Sequence, residues 1–276
     1  MVGDEYFSNE ISRWEKQWSQ YQSNDFENLY DLWVKKAFEG IPPKTRKLFF
    51  NRLDTWLFHT HALIQGTAFQ NEARERIITS GKIFNSSISD VKDMKLLNLS
   101  QLTYLAQQQA TKGKVYSFAQ GGLTGTGGWL LLGLDFPAMM AMNLRGIQLI
   151  GMTFGHEMNH PYELLLSLKV FHAATLPKRI QKAAWEELKQ EVKSQSYHPY
   201  VFEEEDGLTD ESWIGQPLKQ CFKSLFILMF RKKLVQGLPM ISMAIGAGLN
   251  YQLTKQVTEY AIRFYQNRHL IAQSTE

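Results

Sequence analysis

The chain has 276 residues, enough for a sizeable core, and its 44% hydrophobic against 21% charged content excludes disorder as a whole. Its 30 basic and 27 acidic residues are interleaved and leave a formal charge of only +3, which argues against a nucleic-acid partner. Cys221 is the single cysteine, so an intramolecular disulfide and a cysteine-based zinc cluster are excluded.

The first residues are acidic and lack an apolar run, so no secretory signal is expected. Glycine stands at position 3 and not directly after the initiator, so myristoylation is not expected either. A cytoplasmic protein is the expectation. Phe7, Ile11, Trp14, Trp18 and Tyr21 step by three and four and predict an amphipathic helix. Asn24-Asp25 punctuates the chain, and Phe26, Leu29, Trp33 and Ala37 mark a second helix that ends at Gly40 before Ile41-Pro42-Pro43. A longer helix is expected over 44–66, with Lys44, Arg46 and Lys47 in its first turn, the wrong sign for the helix dipole. Those cations read either as a solvated face or as a face turned to something anionic.

Residues 67–80 predict a helix stopping at Gly81, and 89–110 another, broken near Asn98-Leu99-Ser100, where Ser100 offers a cap. After a glycine-rich block, helices are expected over 139–154, 161–175 and 176–194. Residues 197–217 are polar and read as a surface loop, and two helices over 218–236 and 238–268 close the chain. No alternating strand of useful length is present. The predicted fold is all-α, a multi-helix bundle with two glycine-rich apolar helical segments packed together. Residues 1–84 form an N-terminal helical extension and residues 85–276 the main unit.

Those two segments are residues 115–134, with no charge over 20 positions, and 234–254, with none over 21. Either could cross a bilayer core of about 30 Å by length. Both are poor spans, because glycines and amides interrupt them, and Asp135 and Arg145 follow the first. A central charge costs about 2.5–3.5 kcal/mol on insertion. Gly121, Gly125, Gly128, Gly246 and Gly248 permit close approach of neighbouring helices. A buried hairpin in a soluble core and a membrane-inserting or interfacial hairpin are both open readings. The apolar strip 221–230 ends in Arg231-Lys232-Lys233, which suits anionic lipid or an ordinary helix C-terminus. A phosphate-cradling loop at Gly121–Gly128 is disfavoured, since no strand precedes it and no Lys-Ser/Thr follows.

His156-Glu157-Met158-Asn159-His160 matches the zincin motif, which needs both histidines on one helical face and the glutamate as base. The flanks oppose that reading. Gly155 sits where a helix C-cap belongs, and Pro161 suits the first position of the next helix while disfavouring the α conformation at His160. The five residues therefore read as a loop with His160 near an N-cap. The zinc alternative takes His156 and His160 as ligands, Glu157 as base, and Glu186 or Glu187 as a third ligand. His59, His61 and His172 read as packing or surface residues, and Cys221 as an inert buried thiol.

Gly121-Gly122-Leu123-Thr124-Gly125 through Gly128, then Asp135-Phe136-Pro137, Leu144-Arg145 and Phe154-Gly155, resembles the central pattern of the EcsC family. Leu238-Pro239, Gly246-Ala247-Gly248 and Asn250 resemble its second glycine-rich segment, and residues 261–268 its closing helix. The resemblance covers roughly residues 85–270. It implies a bacterial protein of a family named from an operon that encodes an ABC transporter, and it carries no biochemical activity. The expectation is a non-catalytic, membrane-associated accessory protein without cofactor. Its expected partners are anionic membrane lipid or a membrane transporter at the inner face of the cell membrane. Asp135 and Arg145 are expected to form a buried pair between glycine-rich helices, or a small polar site for a lipid headgroup.

Overall fold

The computed structural model describes residues 2–19, 67–124, 128–194 and 243–275. Among these the chain is all-α, with no strand. In chain order they are α1 (Val2–Ser19), α2 (Thr67–Lys82), a 3-10 helix (Val91–Leu96), α3 (Leu99–Thr124), α4 (Gly128–Thr153), α5 (Pro161–Thr175), α6 (Lys178–Ser194) and α7 (Met243–Thr275). The helices expected over 26–37, 44–66 and 218–236, the loop 197–217, Cys221, the basic triplet at 231–233, His59 and His61 lie outside the described residues.

Helix α7 occupies the centre and packs against α1, α3, α4, α5 and α6, most extensively against α3. Two contacts fix that pairing as antiparallel. Near one end Gln266 Nε2 donates to Thr103 Oγ1 at 2.9 Å, and near the other the Ser117 and Thr254 hydroxyls meet at 2.6 Å. Helix α4 runs parallel to α7: Gly146 faces Thr258, and five residues on Gly151 faces Tyr265. The C-terminus of α3 and the N-termini of α4 and α7 therefore share one end of the bundle.

The apolar stripe expected in the first helix is the face that docks. Phe7 and Ile11 are buried, and the Trp14 ring lies 5.0 Å from Trp185 and 5.5 Å from Tyr260. Polar contacts hold the rim of this contact: Glu15 accepts from Trp185 Nε1 at 2.6 Å and from Lys189 at 2.9 Å, while Arg263 donates to Glu10 at 2.7 Å.

The break expected near residue 98 is present, but its cap is Asn98 and not Ser100. The Gln101 backbone N–H donates to Asn98 Oδ1 and the Asn98 N–H donates to Gln101 Oε1, at 3.0 and 3.1 Å, so two orphan donors are satisfied reciprocally. The helix expected to begin at 139 begins at Gly128 and runs through Pro137. An interior proline costs about 3 kcal/mol and releases the carbonyl four residues earlier, here that of Gly133.

The α4–α5 and α5–α6 junctions are set by local chemistry. Gly155 has φ +82, its N–H donates to the Met152 carbonyl at 2.9 Å, and the His156 N–H donates to Gly151 at 3.1 Å. These two bonds form a Schellman ending for α4. His160 and Leu176, each before a proline, are extended, with ψ 131 and 154, and this ends one element and starts the next. The Ala174 carbonyl, left open by the end of α5, accepts from Gln181 and Gln256 at 3.0 and 2.6 Å.

Gly155→Ala would place a side chain in the left-handed region and push a Cβ to 2.6 Å from Lys95 Cγ. The substitution is expected to lower unfolding free energy by roughly 1–2 kcal/mol, read as a lower midpoint in urea. An unchanged midpoint would contradict the Schellman assignment.

Candidate functional site

The zincin-like residues lie in the α4–α5 connection and point to three different partners. Glu157 accepts from Arg74 of α2 at 2.5 Å, and the same guanidinium pairs with Asp90, which caps the 3-10 helix. His156 is 12% exposed and its Nδ1 lies 3.6 Å from Glu163 Oε1, with its ring 5.5 Å from that of Tyr265. His160 is exposed and its Nδ1 accepts the Tyr162 N–H at 3.3 Å, as the N-cap of α5. The motif is thus displayed by a loop, and the single helical face that zinc chemistry needs is not provided there.

Glu186, a candidate third ligand, pairs with Lys189 at 3.0 Å, and Glu187 is exposed. Among the described residues no group of three His, Cys, Asp or Glu side chains could hold a metal ion. Among the described residues these donors therefore do not gather into a zinc site. His172 is half-buried on α5.

What the connection does provide is a buried ionic core. Arg268 of α7 donates through both terminal nitrogens to Glu163 at 2.7 Å each, with side chains 15% and 10% exposed. Burial, then the positive charges of Arg268, Lys95 and His269, hold the His156 imidazole well below its usual pKa. Gly151 makes room for this packing, since a Cβ there would meet Met158 at 2.3 Å and the Tyr265 hydroxyl at 2.7 Å.

The glycine-rich pattern lies at the opposite end. Gly121, Gly122 and Thr124 close α3, Gly128 opens α4, Asp135 and Pro137 follow within it, and Gly246, Gly248 and Asn250 lie in the first turns of α7. Gly125 and Pro239 lie outside the described residues. Asn250 is buried at 6% exposure. Among the described residues nothing lies within 4 Å of a Cβ built on Gly248, and the tight contact in α4 is at Gly151. Asp135 and Arg145 sit ten residues apart on one continuous helix, α4, about 15 Å along its axis at 1.5 Å per residue. A pair tying two glycine-rich helices together is therefore not what they form. Arg145 is partly buried, and burial draws its guanidinium pKa down.

At this end α3 carries no charge beyond Lys114, α4 none before Asp135 and α7 none before Lys255. Val115, Tyr116 and Phe118 remain 62%, 68% and 53% exposed there. Just below them a groove of about 700 Å³ runs between α1, α3 and α7, from Ser100 to Lys114 along α3. Neither the ion pairs nor the groove was anticipated. Glu163 in the first turn of α5 was visible as a dipole-favoured acid, but its partner lies 105 residues away.

An all-α bundle with an ion-paired end and, among the described residues, a glycine-rich end whose charges begin at Lys114, Asp135 and Lys255 is the class these observations define. The EcsC protein family matches over residues 6–270. The chain belongs to that family, and the match extends well ahead of residue 85. It is similar to "Uncharacterized protein YdbA" of Bacillus subtilis (strain 168), 21% identical over 97% of this chain and 93% of that protein. It is also similar to "Protein EcsC" of the same organism, 23% identical over 72% of this chain and 77% of that one. No solved structure matches it.

The depressed His156 pKa has a signed consequence. Unfolded, the imidazole takes a proton near its ordinary value of 6.5, which the folded state refuses. Its contribution to stability is full above that value and is lost as pH falls from there towards the depressed folded pKa, at about 1.4 kcal/mol per pKa unit. His156→Gln is expected to reduce the loss of thermal midpoint between pH 8 and pH 5. His172 and His269, also lowered by burial, act in the same direction. An unaltered slope in the variant would remove His156 from this role.

Proposed function

We propose that the protein is a non-catalytic, membrane-peripheral accessory protein that seats its uncharged end in one leaflet of an anionic membrane. The observation that carries this reading is the exposure of Val115, Tyr116 and Phe118 where three helix ends bring together sequence without charge. Exposed apolar patches rimmed by polar residues mark interaction surfaces, and a lipid surface suits a patch that ends in lysines.

Depth supports a shallow mode. Residues 115–124 of α3 rise about 15 Å at 1.5 Å per residue, half of a hydrocarbon core of about 30 Å. No helix among the described residues is long and apolar enough to cross a membrane. Lys112, Lys114 and Lys255 then stand at headgroup level, each contributing about 1 kcal/mol near an anionic surface. An export or envelope process at the inner face of the cell membrane, with a membrane transporter as partner, is the setting this reading favours.

Flotation with phosphatidylglycerol-containing vesicles tests it. The wild-type protein is expected to float at low salt, and the double variant Val115→Glu/Phe118→Glu to stay at the bottom of the gradient with its helicity intact. Wild-type protein that remains unbound at low salt would sink the membrane reading.

A further inference from the structure

The groove between α1, α3 and α7 has a floor of Phe7, Ala110 and Ile262, buried at 8%, 4% and 8% exposure. Tyr6 and Tyr104 stand on its rim at 55% and 53% exposure. Arg263 in its wall is already paired with Glu10. Lys114 differs. It is half-buried in the groove's upper end and makes no hydrogen bond or ion pair with the described residues. Glu259 in the same wall lies 3.9 Å from Lys255, so among the described lining residues Lys114 is the cation left open to an anion from outside the chain.

Position narrows the choice. Lys114 is the last charged residue of α3, one step before Val115, so the groove opens at the base of the uncharged end. An anion that reaches Lys114 from there arrives attached to something apolar. We propose that this groove binds the phosphate-bearing headgroup of a single glycerophospholipid. Lys114 meets the phosphate, the tyrosines flank the glycerol and headgroup, and the acyl chains run towards Val115 and Phe118. The volume, about 700 Å³, lies within the range of pockets that enclose small ligands, roughly 300–1,000 Å³. This inference rests on the membrane reading above and adds to it a site for one lipid molecule.

The test uses the full chain and dihexanoylphosphatidylglycerol below its critical micelle concentration, titrated by calorimetry, so that no bilayer is needed. Saturable binding is expected, weakened about tenfold or more by Lys114→Gln and kept within about threefold by Lys114→Arg. Lys82→Gln, which removes the same charge from an exposed site outside the groove, is expected to leave binding unchanged. Thermal unfolding of Lys114→Gln should match wild type, because no contact within the described residues is lost. Absence of wild-type binding would overturn the inference, as would an equal loss in Lys82→Gln, which signals general surface charge. Glycerol 3-phosphate binding as tightly as the lipid would reassign the groove to a free phosphate ester. Vesicle flotation run in parallel separates the two readings. Flotation without short-chain lipid binding removes the groove site alone, and lipid binding without flotation removes the membrane seat alone.

Discussion

The structure depends on one buried ion pair. Arg268 and Glu163 face each other through two 2.7 Å hydrogen bonds in a setting where a lone charge is costly. Such a pair is close to neutral against an apolar replacement, but removing one partner costs about 3–5 kcal/mol. Its consequence is register. Helix α7 has a long, low-contrast surface of alanine, threonine and tyrosine that could slide against its neighbours. The bidentate contact fixes which turn of α7 meets the start of α5. With that turn fixed, Gly151 meets Tyr265, Gly146 meets Thr258, and Ser117 reaches Thr254.

From this follows an axial division of polarity. Around the α4–α5 connection, Arg74 bridges Asp90 and Glu157, and Arg268 holds Glu163. Further along α7, Arg263 pairs with Glu10. Past Lys255 on α7 and Lys114 on α3 the charges stop. An amphipathic helix divides its faces around its axis; this bundle divides its ends along it. Helical hydrophobic periodicity is blind to such a division, because α3 and α7 are each charged towards one end and uncharged at the other.

That explains what could be read from the sequence and what could not. The α5 boundaries at Pro161 and Thr175 were legible because proline and the residue before it act locally. The loop nature of His156-Glu157-Met158-Asn159-His160 was legible for the same reason, from Gly155 and Pro161. Asn98 was passed over as a cap because its reciprocal partner, Gln101, is as common inside helices as at their starts. The helical course through Pro137 was missed because a proline reads as a helix boundary, whereas α4 runs through it. The Asp135–Arg145 pairing failed with it, since one unbroken helix separates the two residues. Arg74–Glu157 spans 83 residues, and nothing in spacing or composition announces it. The family pattern located the glycine-rich end, and among the described residues the glycines in contact with α7, at 113, 146 and 151, lie outside the glycine block.

Magnitudes decide how the uncharged end would engage a membrane. Fully burying a Val, Leu or Phe side chain stabilises by roughly 1.5–3 kcal/mol. Val115, Tyr116 and Phe118 already have about a third to half of their surface covered, so together they offer about 3–5 kcal/mol. Lys112, Lys114 and Lys255 add about 1 kcal/mol each at low ionic strength, and that share falls within a Debye length of about 8 Å in physiological salt. The two contributions are comparable at low ionic strength and the apolar one is larger in physiological salt, so on the proposed reading charge would steer the approach and burial would hold the bundle. A three-helix end of this size has enough apolar surface to stay at an interface and too little length to cross it.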